Sequence, residues 1–146
     1  MGRILAIDYG QKRVGIAVSD PDRVIANGLA TMHVKDILRF LKEYIPKENV
    51  DCIVVGDPRD MKNNASDAAR FIEPFVKKLR KEFPEISIDR MDERFTSQMA
   101  FQTMIDAGLG KKSRQNKELV DTISATLILQ SYMEQIRFAK ERNNLY

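Results

Sequence analysis

The spacing of the apolar residues changes partway along the chain, and that change limits the folds open to it. Residues 3 to 9 alternate at period two, Gly10-Gln11-Lys12 offers a turn, and Arg13 to Ser19 resumes the alternation. Residues 3 to 19 are therefore expected to form a hairpin. Asp20-Pro21-Asp22 breaks the chain, and Val24 to Thr31 reads as a third strand with Gly28 inside it. From Ile37 the spacing turns helical through Leu38, Leu41, Tyr44 and Ile45, and Pro46 limits that helix. Asp51 to Gly56 is a short apolar run of the kind that forms a strand buried on both faces. Ala68, Ile72, Phe75, Val76, Leu79 and Phe83 mark a second helix from about Ser66 to Phe83, in which Pro74 demands a kink or a later start. Ile86 and Ile88 give a fifth strand that stops at Asp92-Glu93-Arg94. Thr96 can cap a third helix closing at Gly108, and a fourth runs from about Lys117 to Arg137.

The resulting order, β-β-β-α-β-α-β-α-α, carries a topology. Three strands joined by short turns pair antiparallel, whereas strand–helix–strand units need parallel crossovers. The expectation is an α/β fold with a mixed five-stranded sheet and helices on both faces. At 146 residues one domain, 1–146, can bury roughly 70% of its unfolded surface without disulfides. The single Cys52 sits in the run Cys52-Ile53-Val54-Val55, where a buried reduced thiol is expected, and such a thiol suits the cytoplasm. One Cys and one His exclude a zinc cluster. Asp8 comes too early for a signal-peptide core, and no stretch approaches the ~20 apolar residues of a membrane span. With 24 Lys+Arg against 21 Asp+Glu, the net charge of +3 permits nucleic-acid binding without arguing for it.

Three acids carry more information. Asp8 ends a strand that is otherwise apolar, where a carboxylate needs a hydrogen bond, an ion pair or a cation. It serves either that need or the turn into Gly10. Asp92-Glu93-Arg94 repeats the situation at the end of the fifth strand, the alternative being a solvated loop. Asp121 lies in the helical stretch Leu119-Val120-Asp121-Thr122-Ile123 and, read alone, turns outward to solvent. If the first strand is central, however, its end lies beside those of its parallel neighbours, and a helix across that edge can bring Asp121 alongside. Converging carboxylates with no His or Cys favour Mg2+ or Mn2+. Two such ions ~4 Å apart can drive phosphodiester hydrolysis.

The segment Ile7-Asp8-Tyr9-Gly10-Gln11-Lys12-Arg13-Val14-Gly15-Ile16-Ala17-Val18-Ser19-Asp20 resembles the opening motif of the YqgF/RuvX family, Holliday junction resolvase-like proteins and pre-ribosomal RNA nucleases. Asp92-Glu93-Arg94-Phe95-Thr96-Ser97 is similar to that family's Asp-Glu-Arg-x-Thr motif. Lys117 to Ala125 resembles its C-terminal Val-Asp-x-x-Ala helix, and Val55 to Met61 its Gly-x-Pro loop. The likeness spans nearly the whole chain, with four motifs in order. It implies an RNase H-like fold and a metal-dependent nuclease maturing the 5′ end of small-subunit ribosomal RNA, with branched DNA as the alternative substrate. By motif position it puts the catalytic, metal-binding acids at Asp8, Glu93 and Asp121. Asp92 is the weaker candidate, since neighbouring strand residues face opposite ways. One departure is Asp57, which puts an acid near the expected site where the family's loop commonly has an apolar residue.

Cations surround these motifs. Lys111, Lys112, Arg114 and Lys117 crowd the connection before the Asp121 helix, and are read as a phosphate grip rather than a merely solvated run. Lys12, Arg13, Arg59 and Arg94 lie within a few residues of a motif acid or the Gly-Pro loop and join the nucleic-acid-binding set, though Arg94 could instead make a structural ion pair. His33 reads as a surface residue, and Phe95, Met99, Phe101 and Met104 as core. Tyr9 either stacks on a base or packs internally. Two rivals differ in class: an ATP-binding fold like that of sugar kinases and actin, which needs a second domain, and a non-catalytic nucleic-acid-binding module. The chain is expected to act as a monomer or homodimer.

Overall fold

The computed structural model describes residues 2–57, 69–92, 102, 105–106 and 116–144. Its sheet has five strands: β1 (Arg3–Tyr9), β2 (Arg13–Ser19), β3 (Ala26–His33), β4 (Val50–Asp57) and β5 (Ser87–Asp92). Their spatial order is β3-β2-β1-β4-β5. β1 pairs antiparallel with β2 and β2 with β3, while β1–β4 and β4–β5 are parallel. The hairpin, the central first strand and the parallel crossovers are as the hydrophobic pattern requires. Because β1, β4 and β5 run parallel, their carboxyl ends share one edge of the sheet, the usual place for a ligand crevice in open α/β sheets.

Two cores lie on opposite faces of this sheet. On one, Leu5, Ile7, Ile53 and Val55 pack against α1 (Ile37–Glu48) and α2 (Ala69–Glu82) through Ile37, Leu41, Ile45, Ile72, Phe75, Val76 and Leu79. On the other, Ile4, Ala6, Ala17, Cys52 and Val54 meet the long α3 (Lys117–Asn144) through Ala125, Ile128, Leu129, Tyr132 and Met133. The two sets alternate along β1, as the two-residue period dictates. Even-numbered β1 residues thus face α3, and this alternation aims Asp8 at the same side.

Several boundaries moved. Pro46 lies inside α1, which continues to Glu48 and ends on left-handed Asn49, whose N–H bonds Ile45 O. Pro74 likewise lies inside α2. Each proline is on the solvent side of its helix. Water can therefore serve the carbonyl that loses its partner. β3 runs from Ala26 instead of Val24; both Val24 and Ile25 are exposed, held in a loop whose amides bond the Asp20 carboxylate. α3 extends past Arg137 to Asn144, and its residues 137 to 142 are exposed. The helix expected between Thr96 and Gly108 falls mainly outside the described residues. Cys52 is buried and forms no disulfide. Among the described residues no helix is long and apolar enough to cross a membrane.

Candidate active site

Asp8 and Asp121 line one cleft of about 280 Å3, together with Gly10, Gln11, Lys12 and Arg13. Both acids are half-buried. Asp8 stands near the carboxyl end of the central strand, paired in register with Gly15 of β2. Asp121 arrives from the second turn of α3, whose start is capped by the Asn116 side chain accepting from the amides of Glu118 and Leu119. Far from pointing outward, Asp121 is turned inward: Arg13 Nε donates to its Oδ2 at 2.9 Å.

The closeness of helix and sheet depends on a glycine. A Cβ on Gly15 would sit 2.2 Å from Asp121 O and 2.5 Å from its carbonyl carbon, so only glycine lets the α3 backbone rest directly on β2. Gly28 leaves similar room, with Thr122 Cγ2 at 2.6 Å from the hypothetical Cβ. Thr31, which pairs with Gly15 from β3, then pins the helix: its hydroxyl reaches Glu118 O at 2.9 Å and Thr122 Oγ1 at 2.6 Å. The row Asp8–Gly15–Thr31 crosses three strands beneath the first turns of α3. Sequence reasoning missed Gly15 and Thr31. A glycine inside the β2 run was the available signal, since strand glycines mark close backbone approach.

The remaining sites divide. Tyr9 faces the other side of the sheet and stacks on Phe75, with ring centroids 4.2 Å apart, and burial raises its phenol pKa. Asp57 also belongs to that other side, where Arg90 pairs with it at 3.4 Å and with Glu73 at 2.6 Å. It is not brought to the cleft with Asp8. His33 is exposed, its Nδ1 accepting from the Lys35 amide at 3.1 Å. Lys12 and Arg13 both stand on the cleft. Glu93, Arg59, Arg94, Lys111, Lys112 and Arg114 lie outside the described residues, as does the side chain of Lys117. β5 is described as far as Asp92, the residue before Glu93.

Hard carboxylate oxygens with neither imidazole nor thiolate in the cleft are a donor set suited to a small divalent cation. Among the described residues two such acids face the cleft, and no group of three potential ligands occurs there. The guanidinium resting on Asp121 shows that one of them already takes a positive partner.

A mixed sheet in this order, with α1 and α2 on one face and α3 on the other, defines an RNase H-like fold. Two solved structures share it: the yeast mitochondrial Holliday junction resolvase Ydc2 (TM-score 0.62, 14% identity, covering 99% of this chain and 82% of that one). The second is Thermus thermophilus RuvC in complex with a Holliday junction substrate (TM-score 0.56, 13% identity, 93% and 96% covered). The model of the RuvX family, described as Holliday junction resolvase, matches residues 2–135, and the chain belongs to that family. Proteins bearing the name "Putative pre-16S rRNA nuclease" are similar over nearly their full length. That of Bacteroides thetaiotaomicron is 56% identical over 94% of this chain and 100% of its own. That of Flavobacterium psychrophilum is 54% identical over 91% and 97%.

Proposed function

We propose that the protein is a metal-dependent nuclease that hydrolyses phosphodiester bonds in the 5′-end maturation of pre-16S ribosomal RNA. The observation that carries this reading is the meeting of Asp8 and Asp121, one from the first strand and one from the last helix, in a single cleft rimmed by Lys12 and Arg13. The names of the relatives supply the ribosomal substrate, and the family description supplies branched DNA as its competitor.

Asp8, Glu93 and Asp121 are the proposed ligands of Mg2+ or Mn2+. Glu93 follows Asp89 and Met91 at the two-residue spacing, and Met91 packs in the α3-side core. A cation held there would supply Lewis-acid stabilisation of the phosphodiester and would ease the deprotonation of the attacking water. The residues of the chain do the rest. The carboxylates fix the cation at the sheet edge, while Lys12, Arg13, Arg59, Arg94, Lys111, Lys112, Arg114 and Lys117 hold the substrate backbone. The proposed setting is the cytoplasm, with the chain acting as one domain, alone or as a homodimer.

The test is cleavage of precursor ribosomal RNA, single-stranded RNA and four-way junction DNA of matched length, with Mg2+ or Mn2+, using wild type and Asp8→Asn. Preferential, Asp8-dependent cleavage of the precursor is expected. Preference for the junction moves the substrate to DNA. Wild-type cleavage in excess chelator overturns the metal mechanism, and nucleic-acid binding without any cleavage leaves a non-catalytic module.

A further inference from the structure

Arg13 gives the Asp121 carboxylate a positive partner inside the cleft. It opens β2, and its Nε donates to Asp121 Oδ2 across the junction of sheet and helix at 2.9 Å. Lys12, its neighbour in sequence, lines the same cleft but makes no ion pair among the described residues. The two cations therefore differ in role although they share a surface. The Arg13 side chain is 37% exposed, so it can leave the carboxylate for water without becoming a buried unpaired charge. A guanidinium grips a carboxylate directionally, which an ammonium does not.

On the nuclease reading above, we propose that Arg13 is a positioning residue: its guanidinium holds the Asp121 carboxylate in the cleft until a divalent cation binds, and releases it then. Acids gathered to bind a cation repel one another when none is present. A resident guanidinium neutralises one of them and keeps its side chain turned inward. Because binding then exchanges one positive partner for another, the cation competes with Arg13, and its affinity is lower than the carboxylates alone would give.

The experiment is thermal unfolding, followed by circular dichroism because the chain has no Trp, across a Mn2+ titration of wild type, Arg13→Gln, Arg13→Lys and Lys12→Gln. Arg13→Gln should lower the metal-free Tm and also bring the Mn2+ midpoint to about two- to fivefold lower concentration, the range set by a partly exposed ion pair. Arg13→Lys should recover part of the metal-free Tm. Lys12→Gln removes the same charge from the same cleft, and should leave the metal-free Tm in place and move the midpoint less. An Arg13→Gln curve lowered equally at all Mn2+ concentrations, with the wild-type midpoint, makes Arg13 merely structural and overturns the proposal. So does a Lys12→Gln shift as large as that of Arg13→Gln, which would reduce the effect to charge alone. Wild type that ignores Mn2+ overturns the cation itself along with this role, whereas a responsive wild type with an unmoved Arg13→Gln overturns this role only.

Discussion

At the scale of single residues, the acids and their partners set separable effects. Asp8→Asn and Asp121→Asn should each cut cleavage by more than the 10–100-fold that outer-shell partners of a metal typically cost, with the far-ultraviolet spectrum unchanged. Glu93→Gln should do the same, and a variant that retains wild-type cleavage removes its residue from the site. Simple repulsion between acids would let any one of them be neutralised without loss of metal-free stability. The Arg13 pair changes that for Asp121: Asp121→Asn gives up a partly exposed ion pair and should cost under about 1 kcal/mol in denaturant unfolding. A second effect arises in the α3-side core. Tyr132 donates its hydroxyl to Asp89 and lies 3.7 Å from Cys52 Sγ. Burial first, then the Asp89 hydrogen bond, raises its phenol pKa far above the ordinary value of 10.0. The native state therefore keeps a proton there that the unfolded chain loses above about pH 10, so this contribution is complete below that pH and declines as pH rises beyond it. Tyr132→Phe should flatten the alkaline side of the stability–pH curve, read from urea midpoints at pH 8 to 11. An unchanged slope would place the alkaline loss in other groups.

At the scale of elements, the contact of α3 with β2 and β3 decides whether a site exists. Nothing in α3 alone aims Asp121 at Asp8. The aim comes from Gly15, which lets the helix backbone down onto the strand, and from Thr31, which bonds to its first turns. Gly15→Ala should lift or shift the helix, because the clash is with backbone atoms that cannot rotate away. Overpacking of this kind costs about 1–3 kcal/mol, and cleavage should fall further than the loss of folded protein explains. Gly28→Ala meets the side chain of Thr122 instead. It should be the milder substitution on both measures, and equal effects would deny Gly15 its special place. The prolines teach the complementary lesson. Propensity argued for a limit at Pro46 and for a kink or a later start at Pro74, yet both helices run on through their prolines, since packing of Leu41 and Ile45, or of Ile72 and Phe75, outweighs one missing hydrogen bond on the wet side.

At the scale of the whole molecule, charge placement matters more than its modest total of +3. The cations expected to grip nucleic acid are spread along the chain, from Lys12 and Arg13 at the first turn to Lys111, Lys112, Arg114 and Lys117 before the last helix. If the latter group grips phosphates, neutralising two of its members should weaken binding across all sequences. It should also flatten the dependence of log K on log salt by about one unit per lost contact. Cleavage at saturating substrate should change far less. Binding that keeps its wild-type salt slope would return that connection to being a solvated turn.

The order of strands and helices was legible because burial imposes a period: two where a strand shows one face to each core, and near 3.6 where a helix shows one stripe. Asp8 was legible for the same reason, as a carboxylate ending an apolar strand. The motifs of the RuvX family marked Asp121 by position, but its local sequence argued for solvent, and Asp57 read as a neighbour of the site until the pleat put it on the α2 side with Arg90. Partners such as Arg13–Asp121 and Thr31–Thr122 join residues from opposite ends of the chain, and no local period encodes them. Whether a half-buried carboxylate faces water, a guanidinium or a cation depends on what stands within a few ångströms. The tertiary structure sets that distance through a missing methyl group at Gly15.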